Sequence, residues 1–402
     1  MTAARPAPSP LARHWGLDPA VVFLNHGSFG AVPTAALDVQ RALQARLQAE
    51  PVRFVVEEQE RLLDEARARL AAFVGADPDD LAFVSNATQA VNTVVRSLAF
   101  TPGDEILTTT HEYNACLNVL RVAAAREGPV VVVADLPFPA RGPDEVVDAV
   151  LARATPRTRL ALVSHVTSPT ALVLPVERIV AALAARGVDT LVDGAHVPGM
   201  LPLDVERLGA AYYTGNLHKW ACAPPGSAFL HVRRDRQRAI RPLVISHGAN
   251  SPRTDRSRFR LEFDYVGFVD PTPWLAVPAA LDAVAALVPG GWPEVMRRNH
   301  ALALEACTLL CDALGASAPA PDAMLGAMAA VPLPDQPPAD GAAPTKYHDP
   351  LQDRLVTRWG SQVPIVPFPA LPRRLVRVST QLYNSRAQID YLATALRAEL
   401  GR

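Results

Sequence analysis

TLVDGAHVPG, residues 190–199, is the stretch that decides how this chain is built. A short apolar strand ends on Asp193, and two small residues, Gly194 and Ala195, follow it. An acid at the carboxyl end of a buried strand stands at the edge where open α/β sheets bind ligands. The small residues after it leave room for a flat ring. An acid in this position would serve equally well as an ordinary helix cap.

Working outward, the chain from about residue 35 to 235 alternates helix and strand. Apolar periodicity marks helices over Ala35–Glu50 and Glu57–Val74, then strand Leu81–Val84 and helix Gln89–Leu98. Strand Glu105–Thr109, helix Tyr113–Arg126, strand Val130–Ala134 and helix Asp144–Ala154 follow. Next come strand Leu160–His165, helix Val176–Ala185 and strand Thr190–Asp193. Several strands are unbroken apolar runs, VVVVA and LALV among them, as expected of strands covered by helices on both faces. The expected fold class is therefore α/β with a mostly parallel sheet. From about Pro271 the character changes. PTPWLAVPAALDAVAAL opens a long helical stretch, 316–347 is rich in Ala and Pro, a strand returns at Leu375–Ser379, and a helix closes the chain near Ala387–Glu399. Residues 1–20 read as a disordered lead-in, 21–275 as a large ligand-binding domain and 276–402 as a smaller α+β domain.

With 402 residues, the chain is long enough for more than one core. Its net charge of −1 offers no electrostatic reason to expect nucleic acid or an anionic membrane as partner. No apolar run approaches the ~20 residues of a membrane-spanning helix. Cys116, Cys222, Cys307 and Cys311 form no CxxC pair, so no metal site is expected and a reducing cytoplasm fits.

Among 39 basic residues only Lys219 and Lys346 are lysines. Arginine stays charged, whereas a lysine amine can deprotonate and attack a carbonyl. Lys346 lies in the Pro- and Ala-rich APTKYHDP and reads as a surface leftover. Lys219 lies in AYYTGNLHKWACAPPG, residues 211–226, on a tight polar loop 26 residues after Asp193, flanked by Asn216 and His218. Farther upstream, the turn Ser85–Thr88 opens a helix. Small polar residues there let backbone N–H groups face an anion, aided by the helix dipole. A plain cap by Ser85 or Asn86 would require the same residues.

An anion turn, then a strand-end acid, then a lone lysine is the order found in pyridoxal-phosphate (PLP) enzymes of fold type I. The likeness extends through FLNHGSFGAVP (23–33), NATQAVNTVVRSL (86–98), PGDEILTTTHEYNAC (102–116), SHVTSPTALVLPV (164–176), YYTGNLHKW (212–220), PLVISHG (242–248) and VRVSTQLYN (376–384). In these segments the chain resembles the class V aminotransferase superfamily, and within it the isopenicillin N epimerase-like branch. The resemblance implies the aspartate aminotransferase-like fold and a homodimer with its site at the subunit interface. It further implies PLP in a Schiff base with Lys219 and paired through its ring nitrogen with Asp193. Ala87, Thr88, Asn216 and His218 would hold the phosphate. Tyr113 would stack on the ring, and His196 and Ser168 would lie near its O3′. Asn25, His26 and Gly27 would line the substrate side, and Arg377 would bind the substrate carboxylate. From position alone, Arg377 reads as a surface strand arginine. For His111 and His247 both active-site and structural roles remain open.

The implied activity is chemistry at Cα of an amino acid, with epimerisation or racemisation first. A C–S lyase of the ergothioneine-pathway type, or an aminotransferase, is the alternative. A cysteine desulfurase fits less well, because that reaction uses a cysteine on a small-domain loop and no cysteine follows Cys311. A cofactor-binding homologue without activity is opposed by the complete Asp193, Lys219 and Arg377 set. The chain departs from the branch in two places. Phe268 stands where a threonine reaches the neighbouring subunit's phosphate, and Ala171 replaces the glycine of TSPTG.

Overall fold

A computed structural model describes residues 5–336 and 349–401; Lys346 lies outside them. Seven strands form the central sheet: β1 (Leu81–Val84), β2 (Glu105–Thr109), β3 (Val130–Ala134), β4 (Thr158–Ser164), β5 (Asp189–Asp193), β6 (Tyr212–Asn216) and β7 (Ala228–Val232). Their order is β1-β7-β6-β5-β4-β2-β3, and β7 alone runs against the others. One large apolar core packs on one face of this sheet and a second on the other. The chain's strongest periodicities thus recur as elements, displaced by a few residues at their ends.

The strand VVVVA departs from its reading. It is β3, the sheet edge, and Val130 and Val133 are exposed. An unbroken apolar run cannot by itself tell a central strand from an edge, because pairing partners are a tertiary property.

A second sheet, β9-β10-β8, belongs to the C-terminal part and is antiparallel: β8 (Met328–Leu333), β9 (Ile365–Pro367) and β10 (Arg374–Ser379). β8 falls inside the Ala- and Pro-rich stretch, where local propensity opposes a strand. Pairing along β10 and burial of Met328–Val331 impose it. The helical stretch from Pro271 divides into Thr272–Leu275 and Val277–Ala285. Gly290 and Gly291, both at positive φ, then turn the chain into the long helix Gly291–Leu314.

The lead-in is a correction. Residues 5–20, largely exposed, are nevertheless anchored to the body at Ser9 and Trp15. Ser9 N–H donates to the Tyr383 carbonyl at 3.0 Å, and Trp15 is buried edge-on against the Tyr383 ring at 5.2 Å. Val22–Phe23 pairs in parallel with Ser361–Gln362, so the segment leading into Asn25 lies against C-terminal elements. No helix among the described residues is long and apolar enough to cross a membrane.

Candidate active site

The site is built on strand ends. In register, Asp193 closes β5 beside Ser164 at the end of β4 and Thr214 on β6. Helix α1 (Ala87–Ser97) starts nearby, and β6 runs out into the turn that carries Lys219. Ser164, Asp193, Ala195, His196, Asn216, His218 and Lys219 line one cavity of about 400 Å3, together with Asn86, Ala87, Thr88, Tyr113, Ser168 and Arg377. Val166 and, from the N-terminal segment, Gly27, Ser28 and Phe29 complete it.

Lys219 is half-buried, in the wall of the cavity. Burial first, and then the Arg377 charge, pull its amine from 10.5 down to about 7. At neutral pH a large fraction of it is therefore the free amine, the nucleophilic form. Its Nζ lies 3.2 Å from Nε2 of His196. Burial, reinforced by the Lys219 and Arg377 charges, keeps His196 well below its ordinary value and hence neutral. The other ring nitrogen, Nδ1, is buried without a partner. From behind, His26 anchors the lysine backbone: Nε2 donates to the Lys219 carbonyl at 3.0 Å while Nδ1 accepts from the Tyr383 hydroxyl at 2.8 Å. Burial lowers this imidazole to about 3.

Asp193 accepts the Ala195 N–H at 2.9 Å and the Cys116 thiol at 3.4 Å. Burial pushes its carboxyl upward, opposed by the Ala195 N–H and the Lys219 charge. Gly194 is required for a reason other than ring clearance, since a Cβ there would lie 2.1 Å from the Tyr213 hydroxyl.

Arg377 is the second unusual cation. It is buried and has no ion-pair partner among the described residues. Nη1 donates to the Ser168 carbonyl at 2.5 Å, Nη2 donates to Ser28 Oγ at 2.6 Å, and Nε is unpaired. Burial lowers it to about 10, so it stays charged at neutral pH. A buried guanidinium without a counter-charge, facing a cavity, is an anion site awaiting its anion.

At the opposite end, α1 presents its first turn. Asn86 does cap the helix, its Oδ1 accepting from Gln89 N–H at 2.8 Å. Ala87 N–H donates to Asn216 Oδ1 at 2.8 Å, and Thr88 sits at the second helical position, where backbone donors lack intrahelical partners. The cap therefore does not exclude an anion at this turn. His218 is tied to the Ser227 carbonyl at 3.0 Å through Nδ1.

Two of the expected substrate-side residues lie elsewhere. His26 is committed to Tyr383 and Lys219, and Asn25, with its side-chain oxygen buried and unpaired, bridges to Ser379; neither lines the cavity. Gly27 does line it, and a Cβ at Gly27 would lie 2.3 Å from Met328 Sδ. Ser168 lines the cavity next to Arg377 and is bonded to it. His111 is structural. Nε2 donates to the Leu136 carbonyl, Nδ1 meets Thr170 Oγ1 at 2.8 Å, and the ring packs against Phe368. His247 is exposed and stacks on Tyr265 beside a different cavity. Ala171 holds φ 58°, a left-handed conformation that glycine adopts freely. Sequence reasoning missed Ser28, which holds Arg377, and Glu112, buried behind Asp193. Glu112 carried a usable signal, an acid just past the end of a parallel strand.

The residues fit PLP. They comprise an amine able to act as nucleophile, a buried strand-end carboxylate for a ring nitrogen, a helix N-terminus for a phosphate and an unpaired arginine for a carboxylate. Together with the sheet they define a fold type I PLP enzyme. The family model for class V aminotransferases matches residues 30–392, and the chain belongs to that family and is PLP-dependent. It is 40% identical to an isopenicillin N epimerase of Amycolatopsis lactamdurans over 95% of this chain and 96% of that one. It is 37% identical to the isopenicillin N epimerase of Streptomyces clavuligerus, over 96% of each. The cystine C–S lyase C-DES shares its fold, with a TM-score of 0.78, 24% identity, and 94% of this chain and 97% of that one covered.

Proposed function

We propose that this protein is an amino-acid epimerase of the isopenicillin N epimerase type, active as a homodimer in the cytoplasm. The carrying observation is the pairing, in one cavity, of a desolvated Lys219 amine near neutrality with the unpaired guanidinium of Arg377. Near-full-length likeness to two isopenicillin N epimerases selects epimerisation among the reactions that start this way.

Lys219 would hold PLP covalently, Asp193 its ring nitrogen, and Ala87, Thr88, Asn216 and His218 its phosphate, with Tyr113 over the ring and His196 beside the attachment point. When bound, PLP supplies an electron sink for the pair left at Cα. The protein does the rest. Arg377, braced by Ser168 and Ser28, orients the substrate through its carboxylate, and a planar fork fixes direction as well as position. Once the substrate amine has replaced it on the cofactor, Lys219 would be free to take the Cα proton, and His196, 3.2 Å away, is placed to hold the lysine hydrogen. Protonation from the opposite face inverts the centre. Gly27 and Phe29 shape the mouth where the side chain emerges.

The homodimer is supported by the large apolar side chains left exposed at Phe29, Leu243, Val244, Ile245 and Phe268. Cytoplasmic residence is supported by four free cysteines. A second reading, β-elimination, is favoured by likeness to a putative L-cysteine desulfhydrase of Oryza sativa, 34% identical over 79% of this chain and 68% of that one. The deciding experiment incubates the holoenzyme with a panel of amino acids and amino-acid-terminated peptides. Loss of optical purity and exchange of the Cα hydrogen with solvent deuterium, without pyruvate, support epimerisation. Stoichiometric pyruvate and sulfide from cysteine would replace it with lyase chemistry. Light scattering at micromolar concentration tests the dimer, which a fully active monomer would refute.

A further inference from the structure

Glu112 has no part in the scheme above, yet it is one of the most deeply placed carboxyls of the molecule. It lies between β2 and helix α2 (Asn114–Glu127), behind the cavity wall and outside the lining. Its Oε1 accepts two hydrogen bonds, from the Tyr113 N–H at 2.8 Å and from Ser164 Oγ at 2.8 Å. Its Oε2 is buried without a hydrogen-bond partner among the described residues, although the Ser164 backbone N–H also faces the carboxyl. The acceptor groups of Glu112, Cys116 and Asp193 all lie within 4.8 Å of one another.

Two ionised carboxylates at this distance in a dry interior repel strongly, so one of them keeps a proton. Asp193 has the better claim to the charge. It receives the Ala195 N–H and the Cys116 thiol, and it feels the Lys219 cation. Glu112 faces Asp193, the Cys116 thiol, the Ser164 hydroxyl and backbone N–H and the Tyr113 amide, with no cation in direct contact among the described residues. Burial, and then the Asp193 charge, raise it well above the usual carboxylate range. A protonated Glu112 carries its hydrogen on Oε2, the oxygen that receives none.

We propose that Glu112 is a positioning residue of the ring-nitrogen site: a neutral carboxylic acid that donates toward Asp193 and keeps that carboxylate ionised and facing the cavity. The donor offsets the burial that would otherwise protonate Asp193. Asp193 thereby remains an anion able to hold a proton on the ring nitrogen. This inference rests on the placement of Asp193 at that nitrogen.

Two measurements test it. In the apoprotein at pH 7, the infrared spectrum of wild type should show a buried protonated-carboxyl C=O stretch that is lost in Glu112→Gln. If Glu112→Gln removes only carboxylate intensity, Glu112 is ionised and the proposal fails, whatever Asp193 contacts. The second measurement is PLP affinity, read from quenching of intrinsic fluorescence across pH 6–9. Glu112→Gln keeps a donor of similar length and should bind within about threefold of wild type, whereas Glu112→Met keeps none and should bind roughly tenfold or more weakly, by one charge-assisted hydrogen bond. The deficit of Glu112→Met should shrink as pH rises and Asp193 ionises without help. A merely space-filling role would leave Gln and Met alike and the pH profile unmoved, which would overturn the proposal. Should Glu112→Met not fold, the infrared comparison alone decides.

Discussion

Arg374 and Arg377 lie three residues apart on β10, and both are buried. An odd separation on a strand sends the two side chains to opposite faces. Arg374 grips Asp349 through Nη1 at 2.8 and 2.9 Å and the Pro334 carbonyl through Nε at 2.9 Å. Among the described residues Arg377 has only neutral acceptors, on Ser168 and Ser28. Methionine at each position should therefore have opposite consequences. Arg374→Met strands the buried Asp349 and should cost about 3–5 kcal/mol of stability. For Arg377, burial lowers the guanidinium to about 10, between two and three units below its ordinary value. At ~1.4 kcal/mol per unit this opposes folding by on the order of 3 kcal/mol, and its hydrogen bonds offset a similar amount. Arg377→Met should leave stability within about 1–2 kcal/mol of wild type in urea unfolding of the apoprotein. Its penalty should fall on function. Losing a charge-assisted contact worth about 1.5–3 kcal/mol weakens carboxylate substrate binding by roughly 10–150-fold, and Arg377→Lys should recover only part of it. Folded Arg374→Met should retain near-normal KM. A pair of equally destabilised proteins, with carboxylate binding intact in Arg377→Met, would show that Arg377 is a structural residue and that the substrate has been placed wrongly.

Lys219→Met should remove a pH dependence as well as covalent cofactor. The folded lysine titrates at about 7 and the unfolded one at 10.5. Between those values the unfolded chain binds more protons, so wild-type apoprotein should gain stability as pH rises from 7 toward 10.5 by up to ~1.4 kcal/mol per pH unit. Lys219→Met should lack that rise, and parallel urea curves for the two proteins at pH 7 and pH 9 would count against a desolvated amine. Asp193→Asn should slow turnover by orders of magnitude while carboxylate binding stays near wild type, since each ~1.4 kcal/mol lost from the transition state is tenfold. Unimpaired kcat would remove Asp193 from the ring nitrogen. Gly30→Ala sets a Cβ 2.3 Å from the His218 carbonyl and 2.7 Å from that of Lys219, both backbone. It should displace the lysine loop, lowering both the melting temperature and the absorbance of lysine-bound cofactor. Normal values for both would mean that this segment yields more easily than its contacts imply.

The alternation of helix and strand, the helix-opening turn at Ser85–Thr88, the acid closing β5 and the isolated Lys219 were all legible in the sequence. Each is a local pattern: periodicity over one element, or a residue type whose chemistry cannot be substituted. The family resemblance carried Arg377 to the site, where its position on a strand had suggested only a surface arginine. What stayed hidden depends on residues distant along the chain. Pairing with β10 made a strand of the Ala-rich 328–333 segment. Tyr383 and the Lys219 carbonyl, 357 and 193 residues from His26, turned that imidazole from the substrate to the lysine backbone. Likewise Trp15, read as part of a disordered lead-in, is ordered by its contact with Tyr383. Protonation states belong to the same group. The side-chain types were plain from the start, but the near-neutral amine of Lys219, the uncompensated charge of Arg377 and the acid behind Asp193 arise from burial and from neighbours that only the folded chain assembles, because desolvation and charge proximity act through space rather than along the sequence.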